Sequence, residues 1–181
     1  MESLRGQLLI AAPSLDDPNF ARAVILVAHH DEEGAMGVVL NRPGDHIVGD
    51  AVPELADVVG DDEAVFVGGP VQPDGVMVLA EFEDPDAAAL PVLGGLGFVA
   101  LGSDGEHIAD GTRRARAFAG HAGWGPGQLE DELDEEAWIL TAFLPSDAFT
   151  REPGELWSEV LTRMGGPYAL VAKMPLDPTL N

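Results

Sequence analysis

The stretch R-A-V-I-L-V-A-H-H-D-E-E-G-A-M-G-V-V-L, Arg22 to Leu40, decides how the rest of the chain is read. Arg22 to His29 is a nearly continuous run of aliphatic and β-branched residues, and Ala35 to Leu40 is a second. Short runs without polar alternation suit strands covered on both faces. Asp31-Glu32-Glu33-Gly34 between them has the composition of a tight connection, so the two strands form a hairpin. Gln7 to Ala11 has the same character, and P-S-L-D-D-P-N (Pro13 to Asn19) supplies the turn that separates it from the hairpin.

Strands continue to outnumber helices downstream. A short helix is predicted from an N-cap at Asp50, with Val52, Leu55, Val58 and Val59 on one side and Pro53 tolerated in its first turn. Ala64 to Val67 and Val76 to Glu81 read as strands joined by G-G-P-V-Q-P-D-G. Phe98 to Leu101 and Arg114 to His121 are further strands. Glu155 to Met164 is the strongest helix, with Leu156, Trp157, Val160, Leu161 and Met164 at helical spacing and a Gly165-Gly166-Pro167 stop. Tyr168 to Ala172 reads as a last strand, and residues 174–181 as a tail. This is not the alternating rhythm of a doubly wound sheet, so the expected class is α+β. Without linker, repeat or low-complexity block, residues 1–181 are expected to form one domain.

Composition excludes several functions. The chain has 181 residues, 46% hydrophobic, and no cysteine, so disulfides and thiolate chemistry are ruled out. No apolar run has the length of a membrane span, and the N-terminus lacks a leader pattern, so a cytoplasmic protein without membrane contact is expected. Acids number 32 against 9 bases, a net charge of −23. A surface this acidic repels nucleic-acid phosphates, and Arg113, Arg114 and Arg116, the one basic cluster, are too few for a broad footprint. Direct nucleic-acid binding is therefore disfavoured.

The densest group of special residues is F-A-G-H-A-G-W-G-P-G-Q-L-E-D-E-L-D-E-E-A-W, Phe118 to Trp138. Pro126 and the acids Glu130 to Glu132 mark a helix start, and Leu129, Leu133 and Ala137 give it an apolar stripe. Those carboxylates occupy the field that a phosphate would need, so a strand-to-helix corner anchored by Trp124 is the favoured reading over an anion cradle. A pocket lined by His121, Trp124 and Gln128 is the alternative. Asn41-Arg42-Pro43 ends a strand, and an ion pair of Arg42 within the protein is favoured over one with a ligand. Gly68-Gly69-Pro70 reads as a turn, with a backbone-lined groove as the sharper option. His29 and His30 alternate across a strand and cannot easily share an ion, so no metal site is expected, and no cofactor. None of the five serines sits in a nucleophile elbow, and Gly102-Ser103-Asp104-Gly105 is turn chemistry.

The ordered set G-Q-L-L-I-A-A-P (Gly6 to Pro13), F-A-R-A-V-I-L-V (Phe20 to Val27), E-G-A-M-G-V-V-L-N-R-P (Glu33 to Pro43), G-G-P-V (Gly68 to Val71) and G-W-G-P-G-Q-L-E-D-E-L (Gly123 to Leu133) resembles the YqgE/AlgH family. The resemblance implies a compact, single-domain bacterial α+β fold with a mixed, barrel-like sheet and a few short helices. Some members are labelled transcriptional regulators, and the family supplies no catalytic residues to carry over. Where members commonly place an aromatic before A-G-W, this chain has His121, which would make a pocket wall there more polar and pH-responsive.

The expected function is a non-enzymatic regulatory or interaction protein that contacts a protein or small ligand. The alternative is a metabolite binder or enzyme using a groove of Asn41, Arg42, Gly68, Gly69, Pro70, His121, Trp124 and Gln128. That groove requires the segments to meet and Arg42 and Gln128 to keep donors free.

Overall fold

The computed structural model describes residues 2–100 and 109–175. The hairpin forms as read: β2 (Val24–Asp31) and β3 (Gly34–Val39) pair antiparallel, with Ile25 opposite Val39 and Asp31 opposite Gly34. β1 (Gln7–Ala11) lies antiparallel beside β2, and β10 (Trp138–Ala142) beside β1. The remaining strands are β4 (Pro43–Ile47), β5 (Ala64–Val67), β6 (Val71–Phe82), β7 (Leu90–Leu93), β8 (Leu96–Phe98) and β9 (Thr112–Trp124).

Their spatial order is β10-β1-β2-β3-β9-β6-β8-β7, with β5 branching between β4 and β9. β5 runs parallel to β9 while the other pairs are antiparallel, so the sheet is mixed and the class is α+β. The sheet curls without closing. Its last strand returns to the beginning of the chain, where a Cβ on Gly6 would stand 3.3 Å from the Val92 carbonyl oxygen.

Alternation along the strands builds cores on both sides of this sheet. Leu8, Ile10, Val24, Leu26 and Val38 point inward to a main core with Phe66, Leu79 and Phe118. Leu9, Ala11, Ile25, Val27 and Val39 point outward, covered by Phe20, Trp124, Leu129 and Trp138. Both sets are buried, which is why these sequences show no polar alternation. A smaller third core holds Val48, Val65 and Ala117. The strongest sequence helix appears as α5 (Leu156–Met164), burying Leu156, Trp157, Val160 and Leu161 in the main core. Full burial of each such aliphatic side chain is worth about 1.5–3 kcal/mol.

Four sequence expectations are corrected. The helix expected from Asp50 is broken in two, α1 (Val48–Ala51) and α2 (Ala56–Val59), joined by a 3-10 turn at Pro53–Leu55. Pro53 disfavours helical dihedrals at the residue before it, and Val52 leaves the helix at φ −142°, ψ 65°. Asp50 lies inside α1, whose N-cap is Ile47. The strand expected from Val76 begins at Val71, so most of G-G-P-V-Q-P-D-G belongs to it, through an irregular register against β9. The strand expected at Phe98 ends there instead, because Gly94-Gly95 turn β7 into β8 one step earlier. Tyr168 to Ala172 is helical, as α6 (Pro167–Val171), with Pro167 at its first position and Leu170 mostly exposed. Leu101, the Gly102 to Gly105 turn and positions 176–181 of the tail lie outside the described residues.

Two further short helices are α3 (Gln128–Asp134) and α4 (Pro145–Ala148). α4 is tied to α5 by Asp147, which is 4% exposed. Its Oδ2 accepts the Leu144 N–H at 2.9 Å, and its two oxygens take both Arg163 Nη donors at 2.9 Å each. The paired carboxylate, ahead of the opposing effect of burial, raises the Arg163 pKa further above its ordinary value. Among the described residues no helix is long and apolar enough to cross a membrane.

Candidate functional site

Six of the eight sequence candidates meet where the end of β3, the β5–β6 link and the middle of β9 cross. Asn41 follows β3. Its Oδ1 accepts the Val24 N–H at 3.0 Å and its Nδ2 donates to the Arg22 carbonyl at 2.8 Å. Arg42 donates from Nη1 to the Asn19 carbonyl and from Nη2 to the Ala21 carbonyl at 2.9 Å. The internal partners of Arg42 are thus loop carbonyls rather than the carboxylate expected for it. Burial lowers its pKa, and the field of Asp17 partly opposes that.

Backbone contacts join these residues to the glycines. The Arg42 carbonyl accepts from Val67 at 2.8 Å, the Gly68 carbonyl from Val39 at 2.9 Å, and the Gly68 N–H donates to Ala119 at 2.8 Å. A Cβ on Gly69 (φ 154°) would lie 2.2 Å from the His121 carbonyl, and one on Gly120 (φ 75°) 2.3 Å from the Gly69 oxygen. The space beside these glycines is filled by main chain, so they serve chain crossing and leave no backbone groove. Pro70 is exposed and leads into β6, where Val71 stands opposite the half-buried His121.

Trp124 and Gln128 sit elsewhere. β9 places Phe118 in the main core but Ala122 and Trp124 in the outer one, although all have even numbers. Strand alternation alone would keep them on one face. Gly120, at positive φ, shifts the alternation by one residue, as a bulge does. Trp124 then donates its indole N–H to Glu132 Oε2 at 2.9 Å, and Trp138 donates to the same oxygen at 2.7 Å. Gln128 donates to Glu132 Oε1 at 2.9 Å and accepts the Gly125 N–H at 3.0 Å. The segment is a strand-to-helix corner. Its N-cap is Gly127 at φ 75°, with Pro126 one position before it. Gln128 spends one amide donor and Arg42 one donor from each Nη on internal partners.

His29 and His30 point apart. His29 Nε2 lies 2.8 Å from Asp31 at the surface, while the buried His30 lies 2.6 Å from Glu130 Oε1. The Leu4 N–H donates to His30 Nδ1 at 2.9 Å, so Nε2 carries the proton and donates to Glu130. That bond, first among its causes, holds the Glu130 carboxyl below its ordinary 4.5. A depressed folded-state pKa contributes stability above the unfolded value and loses it as pH falls through the folded one. Glu130→Gln keeps an acceptor but cannot ionise. Wild type is therefore expected to exceed it in urea midpoint at neutral pH, the gap closing as pH falls below 4.5. An unchanging gap across that range would refute the linkage.

Beside the crossing a cleft of about 440 Å³ remains open between β4, α1 and the first half of β6. Pro43, Val52, Val65, Val67, Val76 and Ala119 make it mostly apolar, with His46, Asp45 and Asp74 as its polar groups. Val67, the last residue of β5, is 44% exposed. The sequence reading missed this cleft. The signal available to it was Val67 and Val76, apolar residues on either side of the glycine-proline link.

The sequence profile of the AlgH-like family matches residues 8–169. A UPF0301 protein of Streptomyces coelicolor is 48% identical over all of this chain and 97% of its own length. One from Thermobifida fusca is 42% identical, over 99% of this chain and 96% of its own. Among solved structures, a Corynebacterium diphtheriae protein superposes with a TM-score of 0.87 at 34% identity, over 96% of this chain and 93% of that one. The AlgH protein of Pseudomonas aeruginosa gives 0.72 at 31% identity, over 97% and 98%.

Proposed function

The chain belongs to the AlgH-like family, and from that premise we propose that it is a cytoplasmic, non-enzymatic interaction protein that acts through contact with a protein or small apolar ligand at the Pro43–Val67–Ala119 cleft. The observation that supports this reading is the division of labour around the crossing. Asn41 and Arg42 are tied into internal hydrogen bonds and the glycines into chain crossing, while the adjoining open surface is mostly apolar. Apolar walls with a few polar groups are the usual composition of a binding site. Catalysis would need a base, a nucleophile and oxyanion donors directed at a common point, whereas the crossing offers the His121 imidazole alone, with its Nδ1 3.4 Å from the Ala122 carbonyl oxygen. Any effect on transcription is then indirect, as the charge of −23 also favours.

The test is a thermal-shift screen of apolar small molecules and peptides against wild type and Val67→Glu. Val67 is part-exposed, so the substitution should alter stability by only about 0.5 kcal/mol. Compounds that raise the wild-type melting temperature are expected to lose their effect on the variant. Hits that stabilise both chains equally, or that wild type converts to product, would overturn the reading. So would tight, salt-sensitive binding to a promoter fragment.

A further inference from the structure

The remaining side of the α1–α2 segment borders a second cavity, of about 340 Å³ and opposite chemistry. Arg113, Arg114 and Arg116 of β9 line it, and the fold adds Arg151 from the loop after α4. Four of the nine basic residues of a chain with net charge −23 therefore meet at one hollow. We propose that this hollow binds a small phosphorylated ligand, with the guanidinium groups holding its phosphate and Val58, Val59 and Phe149 facing its organic part.

Arg116 is the most deeply buried of the four arginines. It is 7% exposed, its guanidinium lies 4.4 Å over the Phe66 ring, and Nη1 donates to the carbonyls of Ala148 at 3.3 Å and Thr150 at 2.9 Å. Among the described residues it has no carboxylate partner within ion-pair distance, in a chain with 32 acids. Burying a guanidinium without a counter-charge is costly. Its Nε and Nη2 have no acceptor among the described residues, yet no fully buried nitrogen there lacks a partner, so both keep some accessible surface on a residue that lines the hollow. Glu63, in the same hollow, acts on it through space without pairing, so an arriving oxyanion would supply the close counter-charge, and a planar fork suits phosphate oxygens in pairs.

The surrounding charges set the ligand class. Glu63 lies 3.3 Å from Arg151, and Glu81 holds Arg114 at 2.6 Å. With four guanidinium groups against those two carboxylates, two positive charges are in excess, which matches a phosphate monoester dianion better than a single carboxylate. Among the described residues β9 meets β5 only at Phe118 and Ala119, so its earlier residues leave one edge open on the side away from β6. Backbone N–H groups on such an edge are additional anion donors. The volume lies at the small end of ligand pockets, of about 300–1,000 Å³, which favours a free phosphorylated molecule over a polymer. The acidity of the chain as a whole opposes a nucleic acid as well.

The experiment is isothermal titration of the full chain with pyrophosphate, repeated with a single-stranded oligonucleotide. Arg113 and Arg151 are exposed, so the double variant Arg113→Ala/Arg151→Ala retains the fold, which an unchanged melting temperature verifies. Pyrophosphate is expected to bind wild type, about tenfold more weakly to the double variant, and severalfold more tightly to Glu63→Gln, which removes the competing carboxylate. Absence of pyrophosphate binding, or equal binding by wild type and the double variant, overturns the site. Tighter binding of the oligonucleotide through the same arginines overturns the assignment to a free ligand. Val67→Glu should leave this binding unchanged, which separates the site from the apolar cleft.

Discussion

Gly69→Ala is expected to lose about 3–5 kcal/mol of folding stability, read as a large fall in urea midpoint. Alanine would bring its Cβ to 2.2 Å from both the carbonyl carbon and oxygen of His121, at a φ of 154° that L side chains rarely adopt. Neither obstacle can rotate aside, because both belong to the main chain of β9. Gly120→Ala meets the same barrier from the other side, 2.3 Å from the Gly69 oxygen. The two losses fall at one crossing, so a crossing already opened by the first substitution admits the second at less cost, and the double substitution should cost less than the sum. Gly154→Ala is the control, since a Cβ there meets nothing within 4 Å and φ is not positive. A Gly69→Ala protein as stable as this control would show that the crossing can separate without penalty. Small domains hold only about 5–15 kcal/mol in total, so the first substitution threatens the folded state itself.

Asp147→Ala is expected to cost about 2–4 kcal/mol by the same measurement. The carboxylate closes the first turn of α4 through the Leu144 N–H and grips Arg163 with both oxygens, all at 2.9 Å. Removal leaves the Leu144 donor and a part-covered guanidinium without partners. Because the Arg163 side chain is 38% exposed, water recovers some of its hydration, which puts the figure below that for a fully enclosed pair. Arg163→Ala should cost less than Asp147→Ala but more than a surface change. If Asp147→Ala shifts stability by no more than Arg151→Ala, whose side chain is 84% exposed, the clamp contributes nothing.

The strands around Arg22 to Leu40 were legible because burial on both faces leaves an unbroken apolar run, and few other structures produce one so short. The same logic misread Tyr168 to Ala172. Five apolar residues do not distinguish a strand from a surface helix, and Gly166-Pro167, taken as the end of α5, also begins α6. Pro53 was readable as a helix residue or a breaker, and Val52 decided for the second. The candidate site was legible in part. Asn41, Arg42, Gly68, Gly69, Pro70 and His121 do meet, but how many Arg42 donors stayed free depended on the loop carbonyls of Asn19 and Ala21, which no motif reports. The corner at Trp124 hid one particular acid. Six carboxylates in seven positions look like a solvated face, yet Glu132 turns to two indole N–H groups. Arg151 joins the earlier arginines only through the path of the loop after α4.

The shift at Gly120 has a consequence for how the molecule comes apart. Through it one strand contributes Ala117 to the small core, Phe118 to the main core, and Ala122 and Trp124 to the outer core. A protein whose hydrophobic layers had separate strands could open one layer and leave the others standing. Here all three are threaded on a single backbone, so loosening any of them pulls on the segment that secures the other two. The layers are therefore expected to melt together, with the β9 amides from Phe118 to Trp124 among the slowest of the described residues to exchange with water.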